Sequence, residues 1–181
     1  MKATDLLQDD HHLIERALAT LATATTQLER GAPCRPGFFL GVVEFLEGFV
    51  HALHYQREEN VLFVAMERRG ASRTAGPLAL AIREHQTSRA AARTIRMAAE
   101  RWEGGDESAR DDLANECRQL VSVLKQHIAR EDQLLFPMAQ DMIPAEDHFQ
   151  LLDDLVLPGT TDRGQEFFEA LVAALEEEVT H

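Results

Sequence analysis

A short motif that occurs twice constrains the fold of this chain more than any other feature. Residues 54–63 read HYQREENVLF, and residues 127–136 read HIAREDQLLF. Each copy has a histidine, a glutamate four residues later and a hydrophobic run that ends in Leu-Phe. Residues four apart lie on one face of an α-helix, about one turn from each other. Each copy therefore predicts a helix that presents an imidazole beside a carboxylate.

Apolar residues recur at helical spacing along almost the whole chain, and no useful length alternates with the period of two that is typical of strands. Glycine and proline punctuation predicts four long helices, over 4–30, 36–69, 77–103 and 108–140, with Pro137 bending or shortening the last turn. Two shorter helices are predicted over 145–156 and 162–179, with LPGTTD between them. We therefore predict an all-α fold, an up-down-up-down four-helix bundle over 1–140 with a C-terminal helical extension over 141–181.

Each of the four long helices places one histidine on its predicted inner face. The four are His11, His54, His85 and His127, and Glu58 and Glu131 lie one turn after two of them. The inner faces are defined by Leu7, Ile14, Leu18, Leu21 and Leu28; by Val43, Leu46, Val50, Leu53, Val61 and Ala65; by Leu78 and Ile95; and by Leu120, Val123, Leu124, Leu134 and Leu135. Burying these polar groups without partners would cost several kcal/mol per group. They need either a fully matched polar network or, more simply, a bound metal.

The order of the inward histidines also repeats. His11 and His85 are 74 residues apart, and His54 and His127 are 73 apart. An acidic residue precedes His11 and another precedes His85, so the two halves of the chain resemble each other. Two helical hairpins of similar design would face each other across a pseudo-twofold axis. Such an arrangement provides naturally for two metal ions.

Charge and composition exclude several classes of partner. The chain has 181 residues and a formal net charge of −13, and phosphate binding requires a basic surface. No stretch is expected to approach the roughly 18 apolar residues of a membrane span, and the N-terminal MKATDLLQDDHH lacks the apolar core of a signal peptide. The sequence therefore predicts a cytoplasmic protein with no nucleic-acid or membrane partner, in which Cys34 and Cys117 are reduced thiols.

Four segments together resemble the hemerythrin-like family, specifically its HHE cation-binding domain. They are DHHLIERAL (10–18), HYQREENVLF, REHQTSRA (83–90) and HIAREDQLLFP (127–137), and the resemblance covers roughly residues 5–140. It implies a four-helix bundle around a non-haem di-iron centre, two irons with an oxo or hydroxo bridge. The ligands carried over are His11, His54, His85 and His127 as terminal imidazoles, with Glu58 and Glu131 as bridging carboxylates.

Three choices at this implied centre stay open. His12 could replace His11, and Asp132 could replace Glu131, because the oxygen-carrying hemerythrins have HxxxxD in their last helix. The metal could also be manganese or zinc, since imidazole and carboxylate accept both.

One position departs from the oxygen carriers of the family. They have HxxxH in the third helix, and this chain has Arg89 where the second histidine would stand. Four imidazoles, two carboxylates and one bridging oxygen fill about ten of the roughly twelve positions around two six-coordinate irons. About two positions stay open, which favours the binding of water, peroxide or nitric oxide over reversible oxygen carriage.

The predicted function is therefore that of a di-iron protein that binds or reacts with oxygen, peroxide or nitric oxide. If it is an enzyme, it would resemble a catalase or peroxidase, with buried carboxylates that transfer protons. A second interpretation is an iron- or oxygen-sensing or metal-binding regulatory module without turnover, and a third is a helical bundle without metal. The tail over 141–181 could dock a partner, cover the bundle or form a homodimer through Phe167, Phe168, Leu171, Val172 and Leu175.

Several polar residues beside the inward set are expected to play lesser roles. Tyr55 is interpreted as a boundary aromatic rather than a ligand or a hydrogen-bond donor. Glu59 and Asp132 are interpreted as part of a solvated acidic face rather than as partners of the ligands, and Glu84 is expected to point away. His51 lies one turn before Tyr55 and could extend the polar cluster. No role is predicted for the tail histidines His148 and His181.

Overall fold

The structure is a computed structural model that describes residues 2–156 and 163–180. Over these residues the chain forms six helices and no strand, so the predicted all-α fold is confirmed. The helices are α1 (Ala3–Glu29), α2 (Pro36–Glu67), α3 (Gly76–Glu103), α4 (109–142), α5 (Asp147–Val156) and α6 (Gln165–Thr180). The predicted LPGTTD connection and His181 lie outside the described residues.

Glycine and proline set the helix ends much as their backbone preferences require. Pro36 occupies the first turn of α2, where its missing N–H leaves no helical hydrogen bond unmade. Gly31 after α1 and Gly105 after α3 have φ of 70° and 97°, in the left-handed region that L side chains avoid. Pro137 lies inside α4 and does not end it, because the helix continues to Met142.

The four long helices form the predicted bundle. α4 packs against both α1 and α3, and α3 packs against α2. On the remaining side, α6 packs against both α1 and α2. Its inner face carries Phe168, Val172 and Leu175, which are buried in the main hydrophobic core, whereas Phe167 stays partly exposed. The division of the chain into a domain over 1–140 and an extension stays a prediction.

Two glycines of α2 allow α6 to approach closely. A Cβ built at Gly48 would lie 2.5 Å from Cζ of Phe168, and one at Gly41 would lie 3.2 Å from Cδ2 of Leu175. These glycines are seven residues apart and so lie on one face of α2. The terminal helix therefore packs over a strip of α2 from which side chains are missing.

The inward polar residues lie in a layer between two hydrophobic clusters. The larger cluster includes Leu13 to Leu28 of α1 and continues through the adjoining parts of α2, α3, α4 and α6. The smaller cluster lies at the other end of the bundle and contains Leu7, Phe63, Leu135 and Phe136. Apolar packing on both sides shields the polar layer from solvent, and this layer contains all six residues singled out by the sequence.

Wide turns of π-helix adjoin both repeated motifs. In α2 they span Leu46–His54 and Glu58–Leu62, and in α4 they span Glu131–Leu135. The amide of Phe63 donates to the carbonyl of Glu58, five residues back, and the amide of Phe136 donates likewise to Glu131. Such turns are rare and frequently occur at functional sites.

The π turns change which apolar residues face inward. Leu134 and Val61 were predicted to be inside, but Leu134 is 50% exposed and Val61 is half-buried. Leu135 is buried as predicted, and Leu62 is buried where Val61 had been expected. A turn that closes five residues back rotates the following side chains relative to an α-helix, which the expected 3.6-residue period did not include.

Helix α2 also contradicts one expectation about composition. Over Pro36–Glu67 it is long and apolar enough to cross a membrane by length and composition alone, with a best 18-residue window of mean hydropathy 1.3. Half of that window is buried inside the molecule. Core helices pass the same test, and α2 carries His54 and Glu58 on its inner face. Its apolar character is accounted for by packing within the bundle.

Candidate metal centre

The structure brings the six predicted site residues together in two overlapping groups. One contains His11, His54, Glu58 and Glu131, and the other contains Glu58, His85, His127 and Glu131. Within each group the candidate ligand atoms lie within 4.8 Å of one another, and every residue is buried. Glu58 and Glu131 belong to both groups. Each group has the donor types and the spacing that could hold a metal ion, and the two groups share both carboxylates.

The distances inside each group suit ligands of a single ion. Nε2 of His11 and Nε2 of His127 both lie 3.2 Å from Oε2 of Glu131. Around Glu58, Nε2 of His85 is 3.2 Å from Oε2, and Nε2 of His54 is 3.6 Å from Oε1. Two ligands that are each about 2.1 Å from an ion lie about 3.0 Å apart at a right angle and farther apart at wider angles. The observed spacing therefore fits metal coordination.

Unsatisfied polar atoms converge where the metal would bind. Nε2 of all four histidines and both carboxylate oxygens of Glu58 and Glu131 are buried without a hydrogen-bond partner. An unmatched buried polar group costs about 1–3 kcal/mol, and more if it is charged. A fully matched polar core would not leave so many atoms unpaired in one place. The donor set therefore fits a metal.

The outer nitrogen of each imidazole is fully matched. Each Nδ1 lies at hydrogen-bond distance from a carboxylate, which can only accept, so Nδ1 carries the hydrogen. The pairs are His54 with Asp10 (3.2 Å), His11 with Asp132 (3.0 Å), His85 with Glu59 (2.7 Å) and His127 with Glu84 (2.9 Å). With its hydrogen on Nδ1, a neutral imidazole directs the lone pair of Nε2 to the centre.

These four carboxylates follow one construction rule around the bundle. Each belongs to a residue adjacent in sequence to an inward residue, and each contacts the histidine of a neighbouring helix. Adjacent positions on a helix differ by about 100°, so the neighbour of an inward residue faces the next helix rather than the centre. The expectation of a solvated face for Glu59 and Asp132 was wrong, and so was the expectation that Glu84 points away.

Arginines fix three of the four carboxylates. Nη1 of Arg57 lies 2.9 Å and 3.2 Å from the two oxygens of Asp10. Arg89 pairs with Glu59 at 3.0 Å, and Arg130 pairs with Glu84. Arg89 is thus directed at a carboxylate that orients His85, so the residue that replaces the fifth histidine supports an existing candidate ligand. Asp132, the fourth carboxylate, contacts Gln8 at 3.4 Å.

The carboxylates keep two imidazoles protonated when no metal is bound. Burial alone would lower the pKa of His11, but the carboxylates of Asp132 and Glu131 outweigh it and raise this pKa to about 10. Burial alone would also lower the pKa of His85, but nearby carboxylates, with Glu131 first, outweigh it and raise this pKa well above 6.5. Burial alone would raise the pKa of Glu131, but the histidines, with His127 first, hold it well below its usual range. Metal binding must therefore displace protons.

Tyr55 was expected to be a boundary aromatic, but it lies against the candidate ligands. It is buried, and its ring stacks on His85 with centroids 3.6 Å apart. Burial raises the pKa of its phenol above the ordinary value, so the group stays protonated. The ring of His51 also stacks on Tyr55, with centroids 5.4 Å apart. Nε2 of His51 lies 3.0 Å from Oγ of Ser88. Burial, followed by Arg89, lowers the pKa of His51 to about 3, so this imidazole is neutral.

The structure distinguishes the alternatives that the sequence left open. His12 is exposed, whereas His11 lies in the centre. Asp132 is 34% exposed and contacts the outer nitrogen of His11, whereas Glu131 belongs to both groups. In the tail, His148 is buried on α5. Cys34 and Cys117 are both free thiols.

Comparison with known proteins gives the same family as the motifs. A family model, the hemerythrin HHE cation-binding domain, matches residues 2–139. Relatives include the uncharacterized proteins Rv1995 and MT2051 of Mycobacterium tuberculosis and Mb2018 of Mycobacterium bovis, each 23% identical over 143 residues. Those residues are 79% of this chain and 55% of each relative, so the chain spans about half the length of the curated proteins it matches. No solved structure matches the chain significantly.

The family match covers more than half of the chain and includes every residue of the two groups. The family is described by its binding of cations, and in this chain residues with the chemistry of metal ligands meet in the buried polar layer. This chain belongs to the hemerythrin family and is a metal-binding HHE-domain protein with histidine and glutamate donors.

Proposed function

We propose that the chain holds two iron ions and that this di-iron centre binds or reacts with oxygen, peroxide or nitric oxide. The observation that carries the proposal is the pair of four-residue groups that share Glu58 and Glu131. Two ions a few ångströms apart need carboxylates that reach both, and a mixed set of imidazole and carboxylate donors suits iron. Manganese or zinc would fit the same donors less specifically.

Iron bound here would supply Lewis acidity and one-electron redox chemistry to a small ligand. The protein's own contribution is to fix the donors and to exclude bulk water. Four outer carboxylates hold the hydrogen of each imidazole on Nδ1. Phe136 stacks on His11 with centroids 5.3 Å apart, and Phe63 stacks on His85 at 5.9 Å. Each phenylalanine follows its bridging candidate, Glu131 or Glu58, by five residues and covers the same side of the layer.

Open coordination positions favour reaction over storage of oxygen. The side chain of Arg89 pairs with Glu59 and lies over the ring of Tyr55, 5.3 Å from its centroid. It therefore supplies no ligand in place of the missing fifth histidine. A peroxide-consuming activity would use the positions left open, with the protein acting as a catalase- or peroxidase-like oxidoreductase.

A pair of adjacent histidines gives the sharpest test. Iron-loaded protein is expected to consume hydrogen peroxide or, when reduced, to bind nitric oxide with a new absorption band. His11→Ala removes a donor from one group and should lose about one ion and most of this reactivity. His12→Ala changes the exposed neighbour and should behave as the wild type. Equal reactivity of the two variants, or none in iron-loaded wild type, would contradict the proposal.

A regulatory role is the second candidate, and one set of contacts favours it. Nε of Arg57 donates to the carbonyl of Leu155 in α5, 3.0 Å away, while Nη1 of the same guanidinium holds Asp10. Asp10 in turn orients His54. Helix α5 lies outside the residues matched by the family model, so metal occupancy could be transmitted to a segment beyond the metal-binding domain. A metal-dependent change in protease cleavage within α5, without turnover of any oxidant, would favour this role.

A further inference from the structure

We propose that a cavity between α3 and α4 is a pocket for one small uncharged molecule, of the size of a diatomic gas, and that this molecule reaches the centre through it. The pocket stands on its own geometry, while its use as a route rests on the proposed function. The cavity has a volume of about 30 Å³ and is lined mainly by apolar residues. Its walls are Pro77, Leu80, Ala81, Glu84, Arg130, Glu131, Leu134 and Leu135.

The inner end of the pocket is the candidate metal ligand Glu131. This side chain is 1% exposed, and neither carboxylate oxygen has a hydrogen-bond partner. Glu131 also belongs to both groups of candidate ligands. A molecule in the cavity would therefore lie beside the centre without crossing another layer of side chains.

The outer end is formed by a leucine that the π turn rotates outward. Leu134 is 50% exposed, although its neighbour Leu135 is buried in the small hydrophobic cluster. Leu80 of α3 is half-buried and lines the same cavity. The ion pair between Glu84 and Arg130 also borders the cavity. Small movements of exposed side chains are enough to open such a mouth, because rotamers of exposed residues change within nanoseconds.

Size and chemistry select the occupant. One water molecule needs a cavity of about 10–15 Å³. The observed volume of about 30 Å³ therefore accommodates one diatomic molecule but no larger substrate. Apolar cavities stay dry and bind apolar guests such as xenon. Anions are opposed by Glu131 at the inner end and by the formal net charge of −13, while Arg130 is already paired with Glu84. An uncharged gas is thus favoured over anions.

A larger cleft between α2 and α3 is a poorer route. It has a volume of about 400 Å³ and is lined by Glu47, His51, Ala52, Gln56, Arg89 and Arg93. None of the six candidate ligands lines it. The ring of Tyr55, stacked on His85 at 3.6 Å, belongs to the layer behind His51 and covers that side of the centre.

Xenon tests the pocket without any metal chemistry. Crystals pressurised with xenon should show one atom between Leu80 and Leu134, in metal-free and metal-loaded protein alike. Leu80→Phe fills the cavity and should abolish the xenon site. Met97→Phe enlarges a side chain of α3 that is 64% exposed and does not line this cavity, so the site should persist. Absence of xenon from well-ordered wild-type crystals would refute the pocket.

The rate of nitric oxide binding tests the route. In reduced, iron-loaded protein, Leu134→Trp at the mouth should slow association about tenfold, and Leu134→Ala should accelerate it, with iron content and equilibrium affinity unchanged. Identical rates in all three proteins would refute the route even if xenon binds, and they would leave the proposed function intact. A chain that takes up no iron would refute the route together with the proposed function, while the xenon result would still decide whether the pocket exists.

Discussion

Replacing Asp10 by asparagine tests whether the outer carboxylates support the metal centre. Asp10 is 1% exposed, and its oxygens contact Nδ1 of His54 at 3.2 Å and Nη1 of Arg57 at 2.9 Å and 3.2 Å. Both partners are donors. An asparagine has one oxygen and one NH₂ group, so at least one donor would face another donor. The partly buried guanidinium of Arg57 would also lose its counter-charge.

The magnitude follows from these contacts. Loss of an outer-shell partner typically lowers metal affinity 10- to 100-fold, or about 1.4–2.8 kcal/mol. In the metal-free protein, Asp10→Asn breaks an ion pair between a buried carboxylate and a partly exposed guanidinium, which should cost about 1–3 kcal/mol of unfolding free energy. Asp9→Asn is the matched control, because Asp9 is exposed and carries the same charge on the same helix. Its effect on either quantity should stay below about 0.5 kcal/mol.

Both quantities can be measured directly. Metal affinity would be obtained by competition with a chromophoric chelator for manganese or zinc, and stability by urea unfolding of metal-free protein. The reasoning would be refuted if Asp10→Asn bound metal within about twofold of wild type. It would also fail if Asp9→Asn weakened binding as much, because the effect would then be one of net charge.

Two further predictions concern pH and packing. In metal-free protein the pKa of His11 is raised to about 10, so the folded state binds more protons than the unfolded state between pH 6.5 and about 10, and the raised pKa of His85 acts in the same direction. The free energy of unfolding should therefore fall by several kcal/mol as pH rises through that window, with a matching fall in melting temperature that metal loading removes. Calorimetry in two buffers should show that about two protons are released when metal binds near pH 7.5. A flat pH profile of the metal-free protein would contradict this account. Separately, Gly48→Ala places a methyl 2.5 Å from Phe168, and should lower the unfolding free energy by about 1–3 kcal/mol despite the better helix propensity of alanine. Gly164→Ala, where a Cβ would meet no atom within 4 Å, is the control, and equal stability of the two variants would argue against close packing of α6.

The sequence predicted the inner face of each helix well where the α-helical period holds. His11, His54, His85 and His127 lie at positions that share a face with many leucines and valines, so burial could be inferred without knowing the partners. The placement of Leu134 failed because a π turn begins at Glu131, and no simple residue pattern announces such a turn.

The outer carboxylates were missed for a different reason. Glu59, Glu84 and Asp132 look like surface acids because each lies one position away from an inward residue. Their partners are on neighbouring helices, so their role depends on how the helices are rotated against one another. The usable signal in the sequence is the recurrence of an acid beside an inward residue, at Asp10, Glu59, Glu84 and Asp132.

The packing of α6 was open for a similar reason. The apolar spacing of Phe168, Val172 and Leu175 is equally suited to covering the bundle or pairing two chains. What decides between them is the strip of α2 around Gly41 and Gly48, which accepts α6 only because no side chain intervenes. Complementarity of that kind lies between two distant segments and is not visible in either alone.

The central claim is that two metal ions share Glu58 and Glu131, and elemental analysis of untagged protein tests it most directly. The account predicts about two irons per chain, with the near-ultraviolet absorption of an oxygen-bridged ferric pair, and loss of both ions together in Glu131→Ala. Folded protein that holds no metal after expression in iron-rich medium, or a Glu131→Ala variant that keeps both ions, would contradict it.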